Sequence, residues 1–118
     1  DLIVINHGFN DNTSYTAEEF ESNLRTALGY LQFRYPNVPI VYMIPLNQRR
    51  ASEITSIVND VNPGNYYILP TKGWNLPTTD GVHPTAAGAK TMASKLSAFI
   101  IECLGEEFFD GKSVNFAK

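Results

Sequence analysis

Leu2 to Ile5 is an unbroken apolar run that leads into a glycine-containing turn, the pattern of a strand covered on both faces in a parallel sheet. Thr16 followed by Glu19 reads as a capping box, in which a hydroxyl and a carboxylate satisfy free amides at a helix start. Phe20, Leu24, Leu28 and Leu31 then recur at helical spacing, and Pro36 and Pro39 stop the helix, which Gly29 weakens slightly. Pro39 introduces a second buried strand, Ile40 to Ile44, closed by Pro45 and followed by a polar loop with Asn47, Gln48, Arg49 and Arg50. Ile54, Ile57, Val58 and Val61 mark a short amphipathic helix that Pro63 and Gly64 break. Tyr66 to Leu69 supplies a third short strand, and a turn-rich loop runs from Pro70 to Pro84.

The last helix is predicted to start near Thr85. Its buried stripe is expected to be Ala89, Met92, Ala93, Leu96, Phe99, Ile100 and Cys103, with Gly88 permitting close approach to a neighbouring element. Alternation of strand and helix along the whole pattern requires parallel strands joined by right-handed crossovers, hence an α/β layered fold. The pattern divides the chain into a domain over 1–104 and a tail over 105–118, where Phe108, Phe109 and Phe116 stand among charges and Gly111.

A chain of 118 residues with 43% hydrophobic content supports one small core. Its formal charge of -3 and sequence pI near 5.2 argue against nucleic acid as a partner, since non-specific binding to a phosphate backbone needs a concentrated positive field. The adjacent pair Arg49-Arg50 is too short for a polybasic signal and reads as a solvated loop. No apolar run approaches the ~20 residues of a membrane span. Cys103 is the single cysteine and, among Phe99, Ile100 and Leu104, reads as a small buried apolar residue. Asp1 leads straight into the first apolar run, which creates the expectation that further sequence lies upstream.

In open parallel sheets the ligand crevice lies beyond the carboxyl ends of the strands. After the first strand comes Asn6-His7-Gly8-Phe9-Asn10-Asp11-Asn12, in which Gly8 lets the backbone bend and the Asn10 amide can project into the crevice. Taken alone, this G-x-N-D segment fits an ordinary Asx turn equally well. After the third strand comes Asp80-Gly81-Val82-His83-Pro84. That spacing allows Asp80 to accept from one imidazole nitrogen of His83, fixing the tautomer and stabilising the cation when the other nitrogen takes a proton. The competing reading is a helix-start motif in which Asp80 closes a turn. His7, His83, Asp11 and Asp80 lack the local spacing of a zinc site, so no metal and no cofactor is implied. Trp74 and Asn75 either line an acyl or sugar pocket or pack down the loop.

Together, G-F-N-D from Gly8 to Asp11 and D-G-V-H-P from Asp80 to Pro84 resemble the third and fifth blocks of the SGNH, or GDSL-like, hydrolase family. The apolar strand before the first block and the T-A-A-G-A-K helix start after the second are also similar to family members, so the resemblance spans Asp1 to about Cys103. It implies the C-terminal half of a flavodoxin-like three-layer α/β/α fold with a parallel sheet. It further implies a serine esterase or lipase-like acylhydrolase with His83 as general base, Asp80 as its orienting acid, Asn10 as oxyanion donor and Gly8 shaping the turn at the substrate. The implied substrate is a small acyl ester, including O-acetyl groups on carbohydrate. Family members acting on polysaccharide esters are often exported, which makes secretion from a bacterial cell the corresponding expectation.

The family's G-D-S block and the glycine of its second block have no counterpart here. Ser14 follows the G-x-N-D turn, Ser52 and Ser56 fall on the middle helix, and Ser94 and Ser97 on the last, none at a strand-to-helix elbow. The expectation is therefore a chain that supplies the Asp-His pair and the oxyanion Asn but is inactive alone. The rival is a non-catalytic module on a hydrolase-like frame that binds carbohydrate or protein through Trp74, Arg49 and Arg50. Half of a doubly wound sheet also carries an unpaired edge, from which association is expected, either as a homodimer through the first strand and the aromatic tail or with a second chain that supplies the missing half.

Overall fold

The computed structural model describes residues 1–8 and 15–109. Along them lie β1 (Ile3–Ile5), α1 (Ala17–Arg34), β2 (Ile40–Met43), α2 (Ala51–Val61), β3 (Tyr66–Leu69), α3 (Ala86–Leu104) and a 3-10 turn at Glu106–Phe109. The strands form a parallel sheet of order β1-β2-β3, with Ile3 opposite Ile40 and Ile40 opposite Tyr66. This is the α/β frame that the alternating pattern predicts, and it is consistent with the partial flavodoxin-like fold that the family resemblance implies. Two compact units divide the chain, Asp1–Trp74 with the sheet, α1 and α2, and a second that begins at Asn75.

In the first unit β2 is buried at every position, as expected of a strand with a neighbour on each side. Its residues alternate between faces, and Ile40 and Tyr42, with Ile44 just beyond the strand, join Phe20, Leu24 and Leu28 of α1 and Ile54, Ile57 and Val58 of α2 in one apolar cluster. Those helical residues are the ones at apolar spacing in the sequence. The capping box at the start of α1 is present in both directions: the Glu19 amide donates to Thr16 Oγ1 at 3.1 Å, and the Thr16 amide to Glu19 Oε2 at 2.8 Å. Arg25 bridges α1 to α2 through Asp60 at 2.6 Å, an exposed contact of small energetic weight.

Two expectations are corrected. β1 is not covered on both faces: Val4 is 41% exposed, because β1 stands at the edge of this sheet and pairs only with β2. The stripe on α3 is narrower than the pattern indicates. Gly88 and Ile100 are buried and Met92, Leu96, Phe99 and Cys103 half-buried, but Ala89 and Ala93 face solvent, lying one position to the side of the larger apolar residues. In the tail Phe108 and Phe109 meet edge to face, 5.3 Å between centroids, while Phe116 lies outside the described residues.

Leu28 is only 1% exposed and belongs to the α1–α2 cluster. Leu28→Ala is expected to lower the unfolding free energy by about 2–5 kcal/mol in chemical denaturation, with the denaturant slope unchanged. A loss below about 1 kcal/mol contradicts this account of the core.

Candidate functional site

The second unit presents Asp80 and His83 on a loop that closes on itself. The Thr85 amide donates to the Pro77 carbonyl at 2.9 Å and the Thr79 amide to the His83 carbonyl at 2.9 Å, so the chain leaves and returns side by side. Gly81, at φ +80, makes the reversal in a conformation that a side chain would resist. Within this frame Asp80 Oδ1 accepts from the amides of Val82 at 2.9 Å and His83 at 2.7 Å, leaving Oδ2 to meet His83 Nδ1 at 2.6 Å.

A carboxylate can only accept in that contact, so Nδ1 carries a proton, and in the neutral imidazole the lone pair is on Nε2. The imidazole is 76% exposed and Asp80 52%, so Nε2 is reachable from solvent. The His83 amide, the His83 ring and the Val82 amide together hold the Asp80 carboxyl well below the usual carboxylate range. Asp80 therefore stays charged wherever a hydrolase near neutral pH would work. The turn and the contact with the ring are made together, since one carboxylate oxygen closes the turn and the other meets the imidazole.

Directly after the loop, Thr85 caps α3 by accepting from the Gly88 amide at 3.1 Å. A Cβ on Gly88 would lie 2.5 Å from the Pro77 carbonyl oxygen, so only glycine lets α3 start this close to the base of the loop.

In the first unit, beyond the end of β1, Gly8 is buried at φ +114. A side chain here would meet Ile54 and Pro45, each 3.4 Å from its Cβ, and Phe20 at 3.7 Å. Asn10 lies outside the described residues. His7 is exposed and borders a cavity of about 200 Å³ lined also by Tyr15, Phe20, Asn23, Leu24 and Ala27. Among the described residues no three of His, Cys, Asp and Glu gather to hold a metal ion, and no helix is long and apolar enough to cross a membrane. Trp74 is half-buried and Asn75 exposed. Ser22 sits on α1, Ser52 and Ser56 on α2, and Ser94 and Ser97 on α3.

Arg50 corrects the reading of Arg49-Arg50 as a solvated loop. Its side chain is only 12% exposed, lies with Cζ 5.3 Å from the centroid of the Phe20 ring, and donates to the Tyr15 carbonyl at 2.6 Å. The segments that follow β2 and β3 are also tied together: the buried Thr71 hydroxyl donates to the Ile44 carbonyl at 3.0 Å and accepts from Gln48 Nε2 at 2.9 Å.

No family model and no curated protein matches the chain. Among solved structures, a family two carbohydrate esterase from Clostridium thermocellum, in complex with cellohexaose, is similar over 88% of this chain with a TM-score of 0.71. Sequence identity is 24%, and the match covers 36% of that protein, so the chain spans little more than a third of its length. At this identity the likeness establishes the fold: these residues adopt the α/β frame of part of an esterase.

Two measurements check the loop. Because the folded Asp80 value is depressed, its stabilising contribution is complete above the ordinary carboxylate range near pH ~4 and is lost progressively as pH falls from there through the lower folded value. Carboxyl-carbon NMR is expected to show the Asp80 midpoint well below that of an ordinary aspartate, and a midpoint at the ordinary value contradicts the geometry. Gly88→Ala is expected to cost about 1–3 kcal/mol in thermal or chemical unfolding, and an unchanged stability contradicts the close approach to Pro77.

Proposed function

We propose that this chain is part of an SGNH-type ester hydrolase that removes acyl groups, O-acetyl on carbohydrate in particular, and that it contributes the acid, the base and an oxyanion donor. The observation that carries this reading is the 2.6 Å contact between Asp80 Oδ2 and His83 Nδ1, which leaves Nε2 as a solvent-facing base. The esterase frame and the oligosaccharide bound by the structural neighbour support the carbohydrate ester.

In this reaction a serine hydroxyl gives its proton to His83 Nε2 as its oxygen attacks the acyl carbon. Asp80 stabilises the imidazolium without taking the proton. Asn10 donates to the oxyanion, which carries full charge only near the transition state, and Gly8 shapes the turn. Collapse of the tetrahedral species breaks the bond to the sugar oxygen, which takes the proton back from His83. Water then repeats the sequence on the acyl-serine and releases acetate. No serine of G-D-S context occurs among the 118 residues, so the nucleophile in this proposal comes from sequence outside them.

In the protein at its native length, His83→Ala is expected to lower hydrolysis of p-nitrophenyl acetate by several orders of magnitude, and Asp80→Asn to lower kcat by about 10³–10⁴-fold with little change in KM. The 118 residues alone are expected to be inactive. Unchanged rates in both variants overturn the proposal and leave a binding module on a hydrolase-like frame.

A further inference from the structure

Three consecutive amides in the Asp80–His83 loop end on side-chain oxygens. Asp80 Oδ1 takes those of Val82 and His83, and the amide before them, on Gly81, donates to Thr78 Oγ1 at 3.1 Å. The first of the three is therefore held from outside the Asp-x-x-His segment.

The place of that amide in the chain gives the contact its weight. The Gly81 amide belongs to the planar peptide that leaves Asp80, so its direction sets the ψ angle of Asp80 and with it where the carboxylate stands relative to the Val82 and His83 amides. Gly81 itself, at φ +80, has the wide backbone freedom of glycine and does not supply that restraint. Packing does not supply it either, because Thr78, Asp80, Gly81, Val82 and His83 are all exposed. The stem below the turn is set independently: Thr78 lies opposite Pro84 in an antiparallel bridge, and the Thr79 amide donates to the His83 carbonyl at 2.9 Å. Thr78 thus reaches the turn from a backbone position that is already fixed.

We propose that Thr78 is a positioning residue for Asp80 and His83, its hydroxyl holding the Gly81 peptide so that one carboxylate oxygen stays on the two amides and the other on the ring. The inference rests on the reading of His83 as the general base of an ester hydrolase. The hydroxyl meets the Gly81 amide rather than the carboxylate or the imidazole, so its effect on the reaction passes through the 2.6 Å contact between Asp80 and His83. That effect matters because a misplacement of about 1 Å at a catalytic group can reduce the rate about 100-fold.

Thr78→Val keeps the branched shape and removes the hydroxyl. In the protein at its native length, with p-nitrophenyl acetate as probe and circular dichroism confirming the fold, it is expected to lower kcat about tenfold while KM moves less than about twofold. Thr78→Ser, which keeps the acceptor oxygen, is expected to recover most of the loss, and Thr78→Ala to match Thr78→Val. In an Asp80→Ala background, Thr78→Val is expected to change kcat by less than about twofold, since the carboxylate it positions is gone. Carboxyl-carbon NMR gives a reading independent of turnover: in Thr78→Val the Asp80 midpoint is expected to rise toward the ordinary carboxylate range, because its amide donors no longer line up on Oδ1. An unchanged kcat and midpoint, a loss that appears in KM, or an equal loss in the Asp80→Ala background overturns the inference while the esterase reading stands. Full activity in His83→Ala overturns that reading and the inference with it.

Discussion

The burial of β2 is the constraint from which the first unit follows. A strand with no position open to water must have a neighbour on each side and apolar cover on its faces. The helices α1 and α2 between successive strands carry the chain back to the starting end of the sheet, which makes the pairing parallel, and β1 and β3 take the two sides. Apolar spacing in α1 and α2 then meets the alternate residues Ile40, Tyr42 and Ile44. Because the strands are parallel, the segments that follow β1 and β2 emerge at the same end of the sheet, where Gly8, Pro45 and Ile54 converge.

The proposed acid-base pair depends on a different kind of order. Asp80 and His83 are three residues apart, and their geometry is set by hydrogen bonds within a few residues: one carboxylate oxygen holds two amides, and the other is thereby aimed at the ring. The charge on Asp80 is maintained by those donors rather than by burial, since the loop is exposed. Such a pair is prepared before any partner group approaches, which is what a general base requires of its orienting carboxylate.

Locality also separates what could be read in the sequence from what could not. The capping box of Thr16 and Glu19, the apolar spacing of Phe20, Leu24 and Leu28, and the Asp80–His83 pair all involve residues within one or a few turns of chain, so spacing alone exposes them. The exposure of Val4 depends on strand order, which the apolar run from Leu2 to Ile5 does not encode. Likewise, the bonds from Tyr42 to His7 and from Arg50 to Tyr15 each join residues 35 positions apart, and nothing near Arg50 in sequence distinguishes it from a solvated arginine.

Labelling of the protein at its native length with a serine-directed phosphonate, followed by mass spectrometry, tests the central claim most directly. The account predicts one adduct, on a serine outside these 118 residues, whose formation is abolished by His83→Ala. An adduct on any serine within these 118 residues, or no adduct on any serine, contradicts it.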